Sequence, residues 1–466
     1  MSEEKKYEKE LAEKLCYKKA SVYDKCDAGE IEEMYAYAEG YKAYLDEAKT
    51  EREAVKASVR MAEAAGFTPY RFGDALKAGD KKYFNNRGKS LYLFRVGSKP
   101  LAENGIRILA AHIDSPRLDL KQVPLYEESG MSFLKTHYYG GIKKYQWTAI
   151  PLALHGVVVK KDGETVDVVI GEKDTDPIFY INDLLPHLAQ EQAQKPLGAA
   201  ISGETLNVLV GSRPLSKEAD EAIKLNVLKL LNDAYGITEE DFLSAEISAV
   251  PTFKARDIGF DRALIGSYGH DDRVCAYPAL TAIIGAENST ETIMSVLVDK
   301  EEIGSDGVSG MQCELLSDLI DAISVAMGAN PAAVRYASAC LSADVNAAFD
   351  PNFPEVYEKR NSALLSCGTA MSKYTGARGK SGTSDASAEF VGKVRRIFAE
   401  NGVVWQTSEL GKVDAGGGGT VAKYIANMNI DTVDMGVPVI SMHAPYEVVS
   451  KVDVYMTYKA FVAFCK

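Results

Sequence analysis

No run of about 18 apolar residues interrupts the 466-residue chain, so no segment is predicted to span a bilayer as a helix. Residues Met1 to Lys18 are charged throughout and lack the apolar stretch of a secretion signal, which makes a cytoplasmic, membrane-free protein the expectation. Cysteine occurs only seven times, at Cys16, Cys26, Cys275, Cys313, Cys340, Cys367 and Cys465, never as a Cys-x-x-Cys pair. That pattern argues against a disulfide scaffold and against a thiolate zinc cluster, leaving histidine and carboxylate as the metal-holding groups. Histidine is scarcer still, with six residues: His112, His137, His155, His187, His270 and His443. A basic excess is also missing: 53 Lys and Arg against 66 Asp and Glu give a formal charge of −13, the wrong sign for nucleic-acid or anionic-lipid partners.

With 46% hydrophobic and 26% charged residues, the composition is that of a globular protein of one to three domains. Ile31 to Gly66 lacks proline and carries apolar residues at helical spacing, predicting one amphipathic helix. Leu91–Val96 and Ile106–Ala111 read as short buried strands. From Leu125 to Asp257 the texture becomes β-rich, with a hairpin signal at Asp162-Gly163, a strand at Leu206–Val210 and a helix at Ser216–Tyr235. Helices and apolar strands then alternate: strands at Thr292–Val298, Tyr336–Leu341 and Thr432–Met435, helices at Val274–Gly285, Met311–Met327 and Ser384–Asn401, and a closing helix from Ser450. Alternation of this kind predicts an α/β fold with a mostly parallel central sheet. The simplest organisation is one α/β domain, 1–124 and 258–466, split by an inserted β-rich module, 125–257.

Ligands bind open α/β sheets beyond the carboxyl ends of the strands. Four predicted strands run directly into such groups: His112-Ile113-Asp114, Asp299-Lys300-Glu301-Glu302, Ser342-Ala343-Asp344 and Met442-His443. A fifth acidic site, His270-Asp271-Asp272, opens a helix. Taken alone, Asp271 or Asp272 reads as a helix cap and a histidine after a strand as structural. Their convergence on one sheet edge instead calls for cations to offset the repulsion. Histidines and carboxylates in this number suit a pair of divalent ions of the zinc, manganese or cobalt type, with a further carboxylate left over as a base.

The order His-x-Asp, Asp, Glu-Glu, Asp, His resembles the co-catalytic metallopeptidases of aminopeptidase-like fold. Ala111-His112-Ile113-Asp114-Ser115-Pro116, His270-Asp271-Asp272-Arg273, Asp299 to Ser305, Ser342-Ala343-Asp344 and Met442-His443 together are similar to the M18 metalloaminopeptidases, the family of aspartyl aminopeptidase and vacuolar aminopeptidase I. The long interval between His112 and Asp271, which holds the β-rich module, also favours that branch of the clan. The resemblance implies two divalent ions per subunit, zinc first with cobalt or manganese also accommodated. His112 and Asp344 would bind one ion, Glu302 and His443 the other, and Asp271 both. Glu301 would be the general base acting on a metal-bound hydroxide nucleophile, with Asp114 orienting His112 and the Asp271-Asp272 peptide cis. His187, in the inserted module, would reach a neighbouring subunit's site to help stabilise the oxyanion.

Implied with these roles are short peptide substrates that lose their N-terminal residue, and dimers formed through the module that assemble into a dodecamer. A clan-related deacylase and a non-catalytic assembly protein that kept the fold are the alternatives. Family members differ in preferring acidic or neutral N-terminal residues, and Lys373, Arg378 and Lys380 are candidate cations to decide it. Gly416 to Gly419 would let backbone approach the substrate. Met442 and the aromatic-rich stretch Tyr446 to Phe464 read as packing. Gly379-Lys380-Ser381 lacks the earlier glycine of a phosphate loop, and no His-Glu-x-x-His motif is present.

Overall fold

Residues 3–287 and 289–466 are described by the structure, a computed structural model. A nine-stranded sheet runs in the order Thr68–Pro69, Lys81–Asn86, Ser90–Arg95, Thr292–Val298, Ile106–His112, Ala339–Ala343, Asp431–Gly436, Thr369–Ser372, Trp405–Thr407. Its four strands from Thr292–Val298 to Asp431–Gly436 are mutually parallel, and antiparallel pairings flank them on both sides. Burial on both faces explains their nearly continuous apolar sequence. Along Ile106–His112 the side chains alternate between two cores: Leu109 and Ala111 face one, Ile106, Ile108 and Ala110 the other. The first core receives helices Ala28–Glu47, His270–Gly285, Ala388–Glu400 and Lys451–Phe464, and the second receives Leu315–Ala326, Pro331–Ala337 and Ala422–Ala426. The closing helix is almost wholly buried, as its aromatic and aliphatic sequence predicts.

A separate antiparallel sheet of seven strands takes its residues from Arg117 to Pro251, covered by helix Ala222–Tyr235. Its strand Arg117–Glu128 starts before residue 125, and its last strand, Ala245–Pro251, ends before residue 257. A third sheet of five strands includes Pro438–Ile440 and Glu447–Ser450.

Several elements differ from the sequence reading, and the helices expected from Ser216, Met311 and Ser384 begin only at Ala222, Leu315 and Ala388. The helix predicted over 31–66 is two helices, Ala28–Glu47 and Glu51–Ala64, because the Thr50 side chain accepts the Glu53 N–H while Glu53 reaches back to the Thr50 N–H, a capping box that starts a new helix. The strand predicted from Tyr336 begins at Ala339: Asn330 caps a short helix that Pro331 opens, and that helix takes up Tyr336. The strand before His443, Pro438–Ile440, joins the five-stranded sheet rather than the nine-stranded one. Gly436 allows the departure, since a Cβ there would collide with the Asp344 carbonyl.

A buried ion cluster ties the antiparallel sheet to helix Glu51–Ala64 and the turn before it. His155, on strand Leu152–Val159, places Nδ1 2.8 Å from Glu53 Oε1 and Nε2 3.1 Å from Glu172 Oε1, and Lys49 Nζ lies 2.9 Å from that same Glu172 oxygen. Burial opposes the imidazolium, yet the hydrogen bonds with Glu172 and Glu53 prevail and raise its pKa above the ordinary 6.5. A folded-state pKa raised in this way contributes stability that is fully present below pH 6.5 and lost as pH rises through the raised value. Unfolding stability followed from about pH 6 to about pH 9 is therefore expected to fall more steeply in the wild type than in His155→Gln. Parallel slopes would refute the assignment.

Candidate metal centre

Parallel register brings three strand ends to one edge: Val298 lies opposite His112, and Ser342 opposite Ala110, so His112, Asp299 and Asp344 leave the sheet side by side. Asp271 enters from the start of helix His270–Gly285, where the backbone at Asp271 and Asp272 is non-helical and both residues are buried; the peptide between them is cis. His443 enters from a turn in which it has φ of 65°.

Asp271 stands between the two histidines. Its Oδ1 lies 3.1 Å from His112 Nε2 and its Oδ2 3.2 Å from His443 Nε2. Asp344 Oδ1 is 3.6 Å from His112 Nε2, and Glu302 Oε2 is 3.6 Å from His443 Nε2. The far nitrogens of both rings are occupied: His112 Nδ1 donates to the Asp114 carbonyl at 3.0 Å and His443 Nδ1 to the Gly141 carbonyl at 2.8 Å. In the neutral imidazole each Nε2 is then the bare nitrogen, and it faces the carboxylates, the tautomer a metal-binding imidazole needs. Glu447 braces the same region, accepting the Asp271 N–H at 3.1 Å and the His443 N–H at 2.8 Å. Asp114, fully buried, accepts the N–H of Glu301 on Oδ1 and of Glu302 on Oδ2, both at 3.2 Å.

Charge balance is the conspicuous problem. Asp271, Asp272, Glu301, Glu302 and Asp344 crowd one pocket, and burial followed by mutual repulsion raises the pKa of Glu301 to about 8 and of Glu302, Asp344 and Asp272 above their ordinary values. Asp271 goes the other way: burial alone would raise it, but the two histidines hold it well below the usual carboxylate range. Both Asp272 oxygens, Asp271 Oδ1 and Glu302 Oε1 are buried without a hydrogen-bond donor among the described residues. Buried acceptors lacking donors are costly unless cations complete them. Two groups could hold such ions, each with ligand atoms within 4.8 Å of one another: His112, Asp271 and Glu302, and His112, Asp272 and Asp344. The donor set, imidazole and carboxylate without thiolate, fits zinc and its neighbours.

A cavity of about 480 Å³ opens onto these groups, lined by Glu301, Glu302, Asp344 and His443 together with Tyr374, Leu410 and Gly417 to Gly419. Gly416 and Gly417 are required by backbone crowding: a Cβ there would strike the Leu410 or Gly376 carbonyl, respectively. Met442, read from sequence as packing, also lines this cavity.

Residues 44–465 match the sequence model of the family described as aminopeptidase I zinc metalloprotease (M18). The chain belongs to the M18 aminopeptidases. This M18 enzyme is 49% identical to a probable M18 family aminopeptidase 1 of Clostridium acetobutylicum, over 95% of this chain and 97% of the relative. Its fold superposes on the crystal structure of the Thermotoga maritima M18 aminopeptidase with a TM-score of 0.93 and 44% identity, covering 97% and 99% of the two chains. Aminopeptidase I from Clostridium acetobutylicum gives a TM-score of 0.90 with 46% identity, covering 97% of this chain and all of the other. The protein is accordingly a metalloaminopeptidase, a hydrolase of α/β fold.

Within the M18 enzyme the eight sequence-predicted site residues divide clearly. His112, Asp114, Asp271, Glu301, Glu302, Asp344 and His443 converge. His187 does not: it is exposed in the turn Pro186–Leu188 of the inserted module and does not line the cavity of its own chain. Lys373 and Lys380 both pair with Asp385, at 2.7 and 3.1 Å, while Arg378 and Lys380 line a neighbouring cavity of about 240 Å³. Among the described residues the one lysine or arginine lining the main cavity is Lys423, which no sequence signal singled out. Asp272 is legible in the sequence as a cap or as part of the fifth acidic site, without a role of its own, and Glu447 not at all.

Proposed function

We propose that this enzyme is a dinuclear aminopeptidase that removes the N-terminal residue from short peptides. The observation that carries the reading is Asp271, one carboxylate whose two oxygens each face a different histidine at 3.1 and 3.2 Å. His112 and Asp344 would then hold one ion and Glu302 and His443 the other, with Asp271 available to both. Asp272, grouped by distance with His112 and Asp344, is an additional buried carboxylate beside the first position. When bound, the two ions, zinc by family with cobalt or manganese as substitutes, supply polarisation of the scissile carbonyl and acidified water.

The protein's own part is positional and protonic. Glu301 lines the cavity outside both ligand groups and serves as general base, taking a proton from the attacking water and returning it to the departing amine. Asp114 fixes Glu301 and Glu302 through their N–H groups and faces His112 Nδ1 at 3.3 Å. The acidic wall also attracts the α-ammonium of the substrate.

Residues 1–124 and 258–466 form the catalytic domain in this reading, and 125–257 the dimerisation module. Leu184, Leu185 and Leu188, between 49% and 69% exposed beside His187, form an apolar surface suited to a partner subunit, with His187 then acting on the neighbour's oxyanion. A yeast relative of the same fold is a dodecamer, and dimers assembling into a dodecamer are the expected form here.

Zinc-loaded enzyme should release p-nitroaniline from leucine p-nitroanilide and not from its N-acetylated counterpart. Turnover of N-acetyl amino acids instead would favour a deacylase, and inertness toward acidic and neutral aminoacyl p-nitroanilides and N-acetyl amino acids alike a non-catalytic assembly protein. Lys423 meets the free carboxylate at the far end of a short peptide. Lys423→Ala is expected to raise KM for Leu-Gly-Gly about fivefold, the equivalent of about 1 kcal/mol, and to leave the C-terminal amide unaffected. An equal change for both substrates would remove Lys423 from recognition.

A further inference from the structure

Strand Met131–Tyr139 belongs to the antiparallel sheet, yet its last residue and the two glycines after it reach the metal centre. The Tyr139 hydroxyl donates to Asp114 Oδ2 at 2.9 Å. Gly140 has φ of 75°, and a Cβ there would sit 3.1 Å from Glu302 Oε2 and 3.3 Å from Glu302 Cβ, so no larger residue leaves that carboxylate where it is. The Gly141 carbonyl is the acceptor for His443 Nδ1, and a Cβ on Gly141 would lie 3.3 Å from that nitrogen. Three consecutive residues thus touch groups of both ion positions.

Tyr139 is itself held from two sides. The Arg117 guanidinium lies 4.0 Å over its ring, and Arg117 is anchored by Asp119 at 2.8 Å within the antiparallel sheet and by Glu51 at 3.2 Å at the start of helix Glu51–Ala64. Asp114 has no exposure, so deleting the hydroxyl leaves its buried Oδ2 with the Glu302 N–H as its one remaining donor among the described residues. A ligand histidine keeps its tautomer and ring plane only while its far nitrogen keeps its partner.

We propose that Tyr139-Gly140-Gly141 is a positioning segment through which the inserted sheet completes the metal centre. Tyr139 steadies His112 by way of Asp114, and Gly141 steadies His443 directly. The inference rests on the ligand assignment given under the proposed function. It makes the antiparallel sheet part of the active site as well as an assembly element.

Zinc titration of the apo-oligomer, by calorimetry and by competition with a chromophoric chelator, tests it. Tyr139→Phe keeps the ring under Arg117 and should weaken zinc binding about 10–100-fold, and Gly141→Ala should weaken it at the His443 position. Activity lost at low zinc should return at high zinc with KM for leucine p-nitroanilide unchanged, which a merely structural lesion would not give. Wild-type isotherms in both variants would overturn the proposal, and if Tyr139→Phe does not fold, Gly141→Ala decides it alone. His112→Ala and His443→Ala provide the separation: retention of two zinc ions by those variants would refute the ligand assignment itself, whatever Tyr139 does.

Discussion

Glu301→Gln is expected to lower kcat for leucine p-nitroanilide by about 10²–10⁴-fold with two zinc ions still bound per subunit. Glutamine keeps the size and hydrogen-bonding outline of the side chain but has no basic oxygen pair with which to accept a proton. Glu301 lines the cavity and belongs to neither group of atoms close enough to share an ion. Its N–H is fixed on Asp114 Oδ1 at 3.2 Å, so the substitution leaves the turn Glu301–Ile303 anchored. Burial first, and the charge of Asp344 second, push its pKa up to about 8 in the metal-free chain, which marks how strongly the pocket resists another negative charge. Zinc content by atomic absorption, measured on the same sample as kcat, separates the roles. A base leaves two ions and little turnover, whereas loss of an ion makes Glu301 a ligand.

The parts of the centre that were readable from sequence share one property: each follows an apolar strand or opens a helix, so its position is set by local periodicity. His112 and Asp344 follow buried parallel strands, and Glu301 and Glu302 come one turn after a third. Asp272 was harder because adjacent acids at a helix start look like caps, and only the non-helical backbone at both residues turns them inward together. Tyr139, Glu447 and Lys423 were unreadable for a different reason. Each comes from an element whose own pattern is satisfied by another sheet or a short helix, and only the docking of those elements brings it to the metal centre. The break at Thr50 did have a local signal, Thr50-Glu51-Arg52-Glu53, which the unbroken run of helix-forming residues outweighed.

Thorough chelation is expected to abolish turnover and to lower the unfolding temperature, and the second effect should grow with pH. Burial raises Glu301 to about 8 and lifts Glu302, Asp344 and Asp272 above their ordinary values, so the folded apo-protein holds protons that the unfolded chain releases. Stability then falls as pH rises from the ordinary carboxylate range toward about 8. The histidines act in the same direction. Burial lowers His443, but Asp271 and Glu302 outweigh it and carry the pKa to about 10, so its contribution too is lost as pH rises through that value. Two bound ions reverse the balance by pairing with the ionised carboxylates, and each adds about 2.7 kcal/mol when free zinc is 100 times its Kd. Metal binding itself strengthens as the ligands deprotonate. Scanning calorimetry of zinc-loaded and chelated enzyme at about pH 5.5 and about pH 8 should therefore show the wider gap at the higher pH. Equal gaps would mean that the carboxylates are not ionised on metal binding, and activity surviving in protein free of metal by atomic absorption would end the dinuclear reading.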